Sequence, residues 1–306
     1  MAFAPFRVVV PCSTSNLGPG FDCLGLALSR EVALEVRPGE SGPLWKDRLG
    51  TLAGVPTGPE ERFEAGLRAA AEAAGKPLPR LSLRGDSNVP IARGLGSSGA
   101  ATVAGLVAGF RVLGEEAASG WLFDLGYAIE GHPDNVGPAL VGGCVVAMPD
   151  AHGHVHWFES PVHPDLRVAV AWPAVRLETR VARGVLPETV PFRVARDQAR
   201  RLPQLLRALA DLDPARLDLG IGDELHTPYR ARLIPGCERV MAAGRGAGAL
   251  GVAISGSGSA IVALGTGSMH LVAEAMAHAF ERAGEAAEAH VLEVPRRGYR
   301  IEPLEA

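Results

Sequence analysis

Lysine is nearly missing from this chain of 306 residues: Lys46 and Lys76 are the whole complement, while arginine is abundant. That scarcity excludes the phosphate loop built on Gly-Lys-Ser/Thr. It also excludes the protein-kinase signatures, whose strand lysine, HRD and DFG segments do not occur. A basic excess is missing too, since the net charge is −4 and the sequence pI is near 6.2. A nucleic-acid footprint, normally a basic cluster on one face, is therefore not expected. Cys12, Cys23, Cys144 and Cys237 lack CxxC spacing, so neither a zinc site nor a redox pair nor a disulfide framework is indicated. No apolar run reaches the roughly 18 residues of a membrane span. The start, MAFAPFRVVVP, has no basic region followed by a long apolar one, so it reads as a first strand rather than a signal peptide. A cytoplasmic protein with reduced thiols is the expectation.

What is present is a large apolar fraction, 47%, enough for one large or two medium domains. Residues 7–10 and 31–37 alternate as half-buried strands do, and 80–84 form a shorter alternating strand. Between the first two lies PCSTSNLGPGFDCLGLAL, too rich in Ser, Asn, Gly and Pro to be regular throughout. Helices are expected over 60–74 with Gly75 as C-cap, over 98–113 ending at Gly114, and over 116–130 before the breaker GHPDN. A hairpin follows at 142–148 and 155–158, then a strand at 166–172 and a helix at 193–210 despite Pro203. Strands at 250–255 and 260–264 flank GSGS, before a helix at 268–283 and a strand at 289–294. Helices and strands interleave with frequent hairpins, which fits an α+β fold better than a doubly wound parallel sheet. The linker-like SPVHPD suggests a division into 1–155 and 156–306.

The strongest local pattern is PIARGLGSSGA: Pro90, Ile91, Ala92, Arg93, Gly94, Leu95, Gly96, Ser97, Ser98, Gly99 and Ala100. A strand leads in and an apolar helix leads out. Glycines permit positive φ and close backbone approach, and a helix N-terminus carries about half a positive charge, so a phosphate is the natural guest. Ser97 and Ser98 can cap the helix, bind phosphate oxygens or ligate a metal.

This segment resembles the nucleotide-binding motif of the GHMP kinases. Two further motifs of that family stand in the expected order, PCSTSNLGPGFD at 11–22 and SGSGSA at 255–260. The resemblance implies an α+β, two-domain GHMP-kinase fold, with a ribosomal-protein-S5-like N-terminal domain, a ferredoxin-like C-terminal domain and a cleft between them. It implies ATP bound along 90–100 and Mg²⁺ held by Ser98 and Glu130. Magnesium chemistry asks for hard oxygens and only one or two carboxylates, which these residues supply. Glu130 also closes a helix, where the dipole disfavours an acid.

Longer runs resemble the homoserine-phosphorylating members of the family: STSNLGPGFDCLGLAL, GHPDNVGPALVGG, ETRVARGVLP at 178–187 and PYRARLIPG at 228–236. L-Homoserine is a zwitterion with one reactive hydroxyl, so its site needs an acid for the ammonium and arginines, which grip both carboxylate oxygens. By this resemblance Asp22 takes the ammonium and Arg183 and Arg230 the carboxylate. Asn16, Asp134 and Asn135 surround the hydroxyl, and Thr179 also contacts substrate. Glu178 and the pair Arg180-Val181 depart from the usual pattern at positions read as helix surface. The catalytic set is Asp134, Asn135 and Arg183.

Phosphoryl transfer passes through a loose transition state, so positioning and charge stabilisation carry the catalysis. Asp134 stands open between two roles, general base or holder of the hydroxyl, and direct transfer without an obligatory base is the working hypothesis. Rival readings are a mevalonate-pathway or shikimate kinase, which leaves Asp22 without an ammonium, a nucleic-acid module, and a non-catalytic nucleotide sensor. His152, His154 and His156 sit at period two, which on a strand gives one face, read as an exposed hairpin face rather than a metal site. Folds of this kind often dimerise, and the sequence indicates no interface.

Overall fold

The computed structural model describes residues 3–39, 44–58 and 61–305. The chain opens with two long strands, β1 (Phe6–Asn16) and β2 (Gly20–Pro38), followed by the short β3 (Trp45–Gly50). Then come α1 (Arg62–Ala74), β4 (Leu81–Ser87), α2 (Ser97–Val112), α3 (Ser119–Glu130) and α4 (Val136–Val141). A hairpin of β5 (Cys144–Pro149) and β6 (Val155–Ser160) precedes β7 (Arg167–Pro173). The helices α5 (Thr179–Gly184), α6 (Phe192–Asp211), α7 (Pro214–Gly220) and α8 (Thr227–Arg230) follow, with a 3₁₀ turn at Ala231–Leu233. The last stretch holds α9 (Cys237–Gly246), β8 (Gly251–Ile254), β9 (Ile261–Gly265), α10 (His270–Glu281), β10 (Ala287–Leu292) and β11 (Arg300–Pro303).

Most elements follow from local signals. α1 starts with the Glu61 carboxylate accepting the Glu64 amide and stops where Gly75 turns left-handed at φ 62°. Residue 60, the expected first residue of this helix, lies outside the described residues. α6 runs through Pro203 without a break, burying one stripe that includes Val194, Leu205 and Leu209. The polar run 11–28 proves more regular than its composition suggests. β1 continues to Asn16 and β2 begins at Gly20, leaving only 17–19 as the turn, with register shifts after Pro11 and Ser15. Cross-strand pairing satisfies this backbone, and α2, α4, Asn135 and the segment at 255–256 bury its side chains, neither of which composition reveals.

β3 and β11 are strands with no apolar alternation. Both lie at the ends of the path β11-β1-β2-β4-β3, where one side of a strand is unpaired and charged sequences such as WKDRLG are tolerated. β5 pairs the front of β2 and β6 pairs β5, completing a seven-stranded sheet among the described residues. The second sheet has four antiparallel strands in the order β10-β7-β9-β8. With helices between first and second and between third and fourth strands, this is the ferredoxin-like arrangement.

The two sheets share material. β6 belongs to the first sheet and β7 to the second, so the change of sheet falls at 161–166, and β11 returns from the far end of the chain to pair with β1. Alternation along β7 and β9 splits the core. Val168, Val170, Val262 and Leu264 join the large cluster that runs under the first sheet, while Ala169, Ala171, Ile261 and Ala263 pack against α9 and α10. His152 and His154 sit in the β5–β6 turn and only His156 is on a strand, so the three share no strand face. His154 faces Asp124 at 3.0 Å and His156 faces Asp150 at 3.3 Å. Among the described residues no helix is long and apolar enough to cross a membrane.

Candidate active site

A cavity of about 700 Å³ opens between the two halves, within the range of small-molecule sites. Its floor is the loop before α2. Gly94 and Gly96 have φ 75° and 67°, and neither has room for a side chain. A Cβ on Gly94 would lie 2.0 Å from Ser255 O, and one on Gly96 would lie 2.2 Å from Ser13 Oγ. α2 begins with Gly96 as N-cap, so no side chain caps it, and its first turn has no acid. The helical ladder starts with Ala100 N donating to Gly96 O at 3.0 Å. The amides of Ser97, Ser98 and Gly99 thus precede that ladder at the cavity, which is the geometry of an anion site.

Nine of the eleven expected loop residues line the cavity, and Arg93 and Ala100 do not. Arg93 turns away and donates from Nε to Pro173 O at 2.9 Å and from Nη2 to Ala174 O, tying the loop to the end of β7. Ala100 is buried on the inner side of α2. The SGSGSA segment acts as a brace. Ser255 Oγ donates to Gly94 O at 2.7 Å and lies 2.8 Å from Thr14 Oγ1, while Gly256 N donates to Ser15 O at 3.0 Å.

Glu130 ends α3 with its side chain only 3% exposed. Its Oε1 accepts from Ser98 Oγ at 2.9 Å and from Thr102 Oγ1 at 2.6 Å. Arg62, which the sequence reading did not single out, completes the group: its Nε lies 3.0 Å from Ser98 Oγ and 3.3 Å from Glu130 Oε1. Thr102 and Arg62 belong to ordinary helical patterns, and only the packing of α1 and α3 on α2 brings them here.

Deeper in the cavity Asp134 is buried, with Oδ1 2.7 Å from His132 Nδ1 and 3.1 Å from Asn135 Nδ2. Burial pushes its carboxyl up, but the contacts with His132, Ser15 and Arg183 outweigh it and hold the pKa below the usual carboxylate range. His132 moves oppositely: burial lowers it, Asp134 more than compensates, and its pKa is raised. Asn135 Oδ1 accepts from Ser13 Oγ at 2.9 Å and Nδ2 donates to Ser15 Oγ at 3.2 Å. Cys23 nearby is pushed up to about 11, by burial first and by Asp134 and Asp22 next, so it offers no thiolate at neutral pH.

At the other wall Arg183 donates to Asp22 from both Nη atoms, at 2.9 and 2.7 Å. Arg230, 2% exposed, donates to Ala182 O at 3.3 Å and Gly256 O at 3.1 Å. Burial lowers its pKa, and Arg183 adds to this, though a guanidinium stays protonated in proteins. Phe21 is packed between its neighbours, with Arg230 5.0 Å from its ring centre and His226 stacked at 5.0 Å. Fully buried His226 also binds Gly18 O at 2.9 Å, fixing the turn that carries Asp22. Asn16, left-handed at φ 69°, donates to Gly256 O at 2.8 Å and accepts the Asp22 amide at 3.0 Å, so its side chain holds the turn. Thr179 Oγ1 lies 3.5 Å from Ser257 Oγ. Asn16, Asp22, Glu130, Asp134, Asn135, Thr179, Arg183 and Arg230 all line the one cavity. Phe21 and His226 were not picked out in the sequence. His226 opens the segment HTPYR, which ends in the expected substrate arginine Arg230, and that adjacency is the signal the sequence offers.

Two family models match the chain: "GHMP kinases N terminal domain" over residues 62–143 and "GHMP kinases C terminal" over 199–284. The homoserine kinase of Moorella thermoacetica is 40% identical over 278 residues, covering 90% of this chain and 93% of that protein. The homoserine kinase of Persephonella marina is 36% identical over 299 residues, covering 98% and 99%. Among solved structures, the homoserine kinase from Cytophaga hutchinsonii superposes with a TM-score of 0.88 at 27% identity, covering 98% of each chain. L. major mevalonate kinase in complex with R-mevalonate, at 16% identity and TM-score 0.67 over 95% of each chain, shares the fold.

Proposed function

Because this chain belongs to the GHMP kinase family, we propose that it is a homoserine kinase, transferring the terminal phosphoryl group of ATP to the side-chain hydroxyl of L-homoserine. It is an ATP-dependent phosphotransferase, and this reading gives it a place in threonine biosynthesis, with the cytoplasm as its proposed compartment. One observation carries the choice of substrate: an acid and two arginines, Asp22, Arg183 and Arg230, stand together on the cavity wall facing the glycine loop. A zwitterion matches this wall. Its carboxylate can take Arg183 and Arg230, and its ammonium can take Asp22 as that acid gives up one arginine contact. Neither mevalonate nor shikimate carries the ammonium.

The loop amides and the open start of α2 would hold the phosphates, and Ser97 offers a further hydroxyl. Mg²⁺ fits Ser98 and Glu130, whose hard oxygens already meet at 2.9 Å. Among the described residues no three His, Cys, Asp or Glu side chains cluster, so a metal here would share its coordination with nucleotide phosphates, as magnesium commonly does. When bound it would neutralise charge on the transferring group. Asp134, held as a carboxylate by His132, would orient the homoserine hydroxyl beside Asn135. Arg183 would stabilise the charge on the incoming phosphoryl group. Proton removal can follow phosphoryl transfer, because the nucleophile bonds late in a loose transition state.

The test is a coupled ADP-release assay with Mg·ATP and L-homoserine, L-threonine, L-serine, mevalonate or shikimate. Turnover with homoserine alone, lost in Arg183→Ala, supports the assignment. Turnover on mevalonate or shikimate retains the kinase but removes the roles given to Asp22, Arg183 and Arg230.

A further inference from the structure

Arg62 occupies an unusual place for a residue outside the family motifs. Its Nε is shared between the two oxygens assigned above to the metal, Ser98 Oγ at 3.0 Å and Glu130 Oε1 at 3.3 Å, and its Nη1 reaches Ile129 O at 3.3 Å. The Glu130 carboxylate is almost fully buried, while Arg62 is 41% exposed and sits at the first position of α1. A buried carboxylate needs a cation partner, and here the partner is a long side chain rooted at the cavity rim. A guanidinium cannot lose its proton to make room. A divalent cation on the same two oxygens, Ser98 Oγ and Glu130 Oε1, competes with Arg62 for them.

We propose that Arg62 is an exchangeable counter-ion that makes metal binding conditional on nucleotide. Without nucleotide, a metal entering the site expels the guanidinium into water and gains little. With nucleotide on the loop at 94–99, the expelled guanidinium acquires phosphate oxygens, a pairing in which arginine is strong. Metal and nucleotide then bind with positive coupling, each favouring the other. The loop and Arg62 line the same cavity, which places the side chain beside the phosphates it would meet. The inference rests on the metal assignment to Glu130 and goes beyond it by giving the metal a competing cation at the same oxygens.

The experiment measures Mn²⁺ binding to the full chain without nucleotide, from the electron paramagnetic resonance signal of free Mn²⁺, in wild type, Arg62→Met and Arg62→Gln. Removing the competing cation should tighten Mn²⁺ binding about tenfold, within the usual span of site-to-site coupling. ATP binding measured by calorimetry in EDTA should weaken several-fold in the same variants. Glutamine keeps a donor for Ser98 and so guards against a folding defect, and Mn²⁺ should raise the melting temperature of both variants more than that of wild type. Equal or weaker Mn²⁺ binding in both variants overturns the exchange. Adding Glu130→Gln to Arg62→Gln separates the two ideas. If that double variant binds Mn²⁺ as tightly as Arg62→Gln alone, the metal assignment itself falls and the exchange with it. If binding is lost there but Arg62→Gln never tightened it, only the exchange falls.

Discussion

Asp22 and Arg183 neutralise one another through a bidentate contact in a half-exposed setting, and a zwitterionic substrate can divide that pair without leaving either charge alone. Truncating Arg183 to alanine takes a guanidinium from the wall assigned to the substrate carboxylate, where a hydrogen bond to a charged group is worth about 1.5–3 kcal/mol. We expect kcat/KM for homoserine to fall by at least roughly 100-fold, read from initial rates, while ATP affinity measured by calorimetry changes little. Asp134 presents the opposite situation, since its partners hold its pKa below the normal carboxylate range and make it a poor proton acceptor. Asp134→Asn should therefore lower kcat by less than about 10⁴-fold, the ceiling of general-base catalysis. A larger loss would argue against transfer without an obligatory base.

The helix α2 and its glycine entry form one device, in which an uncapped N-terminus is aimed at the cavity by two left-handed glycines. Gly96→Ala combines an unfavourable positive φ, costing about 1–3 kcal/mol, with a methyl group forced against Ser13 Oγ. ATP binding measured by calorimetry should weaken more than tenfold, with a lower melting temperature. The turn before β2 and the start of α8 form a second device, joined by His226. Burial lowers the His226 pKa against the opposing pull of Asp223, with Arg230 lowering it further and Asp22 raising it. Its folded pKa thus lies below the unfolded value near 6.5. Protons bind the unfolded chain more readily, so this contribution to stability is present above about pH 6.5 and lost as pH falls below it. The melting temperature of wild type should drop between pH 7.5 and 5.5 by more than that of His226→Gln. An equal drop would show that other groups set the acid response.

At the scale of the molecule, the two sheets share one hydrophobic cluster, and the far end of the chain closes the first sheet. Tyr299 N donates to Ala139 O at 2.9 Å and Leu304 N to Pro5 O at 3.1 Å, so the tail is stitched to both ends of the N-terminal half. Deleting residues 298–306 should lower the melting temperature of the whole protein. The intact chain should unfold in a single calorimetric transition despite its two sheets. Local sequence determined much of this protein: the strands with alternating apolar residues, the helices bounded by Gly75 and Gly114, and the glycine loop before α2, because each depends on neighbours a few residues away. The resemblance added Asp22, Glu130, Asp134, Arg183 and Arg230 as a set, and these do meet in one cavity. Tertiary structure alone decided that the polar strand ends at 11–28 are buried, that charged β3 and β11 pair at sheet edges, and that Arg93 braces β7 rather than facing the cavity. It alone brought Arg62 to Glu130 and His226 to Phe21. The reason is distance along the chain: 68 positions separate Arg62 from Glu130, and 205 separate Phe21 from His226, by subtraction of their numbers. No local pattern encodes such a meeting, which follows only when apolar faces pack and carry their polar neighbours with them.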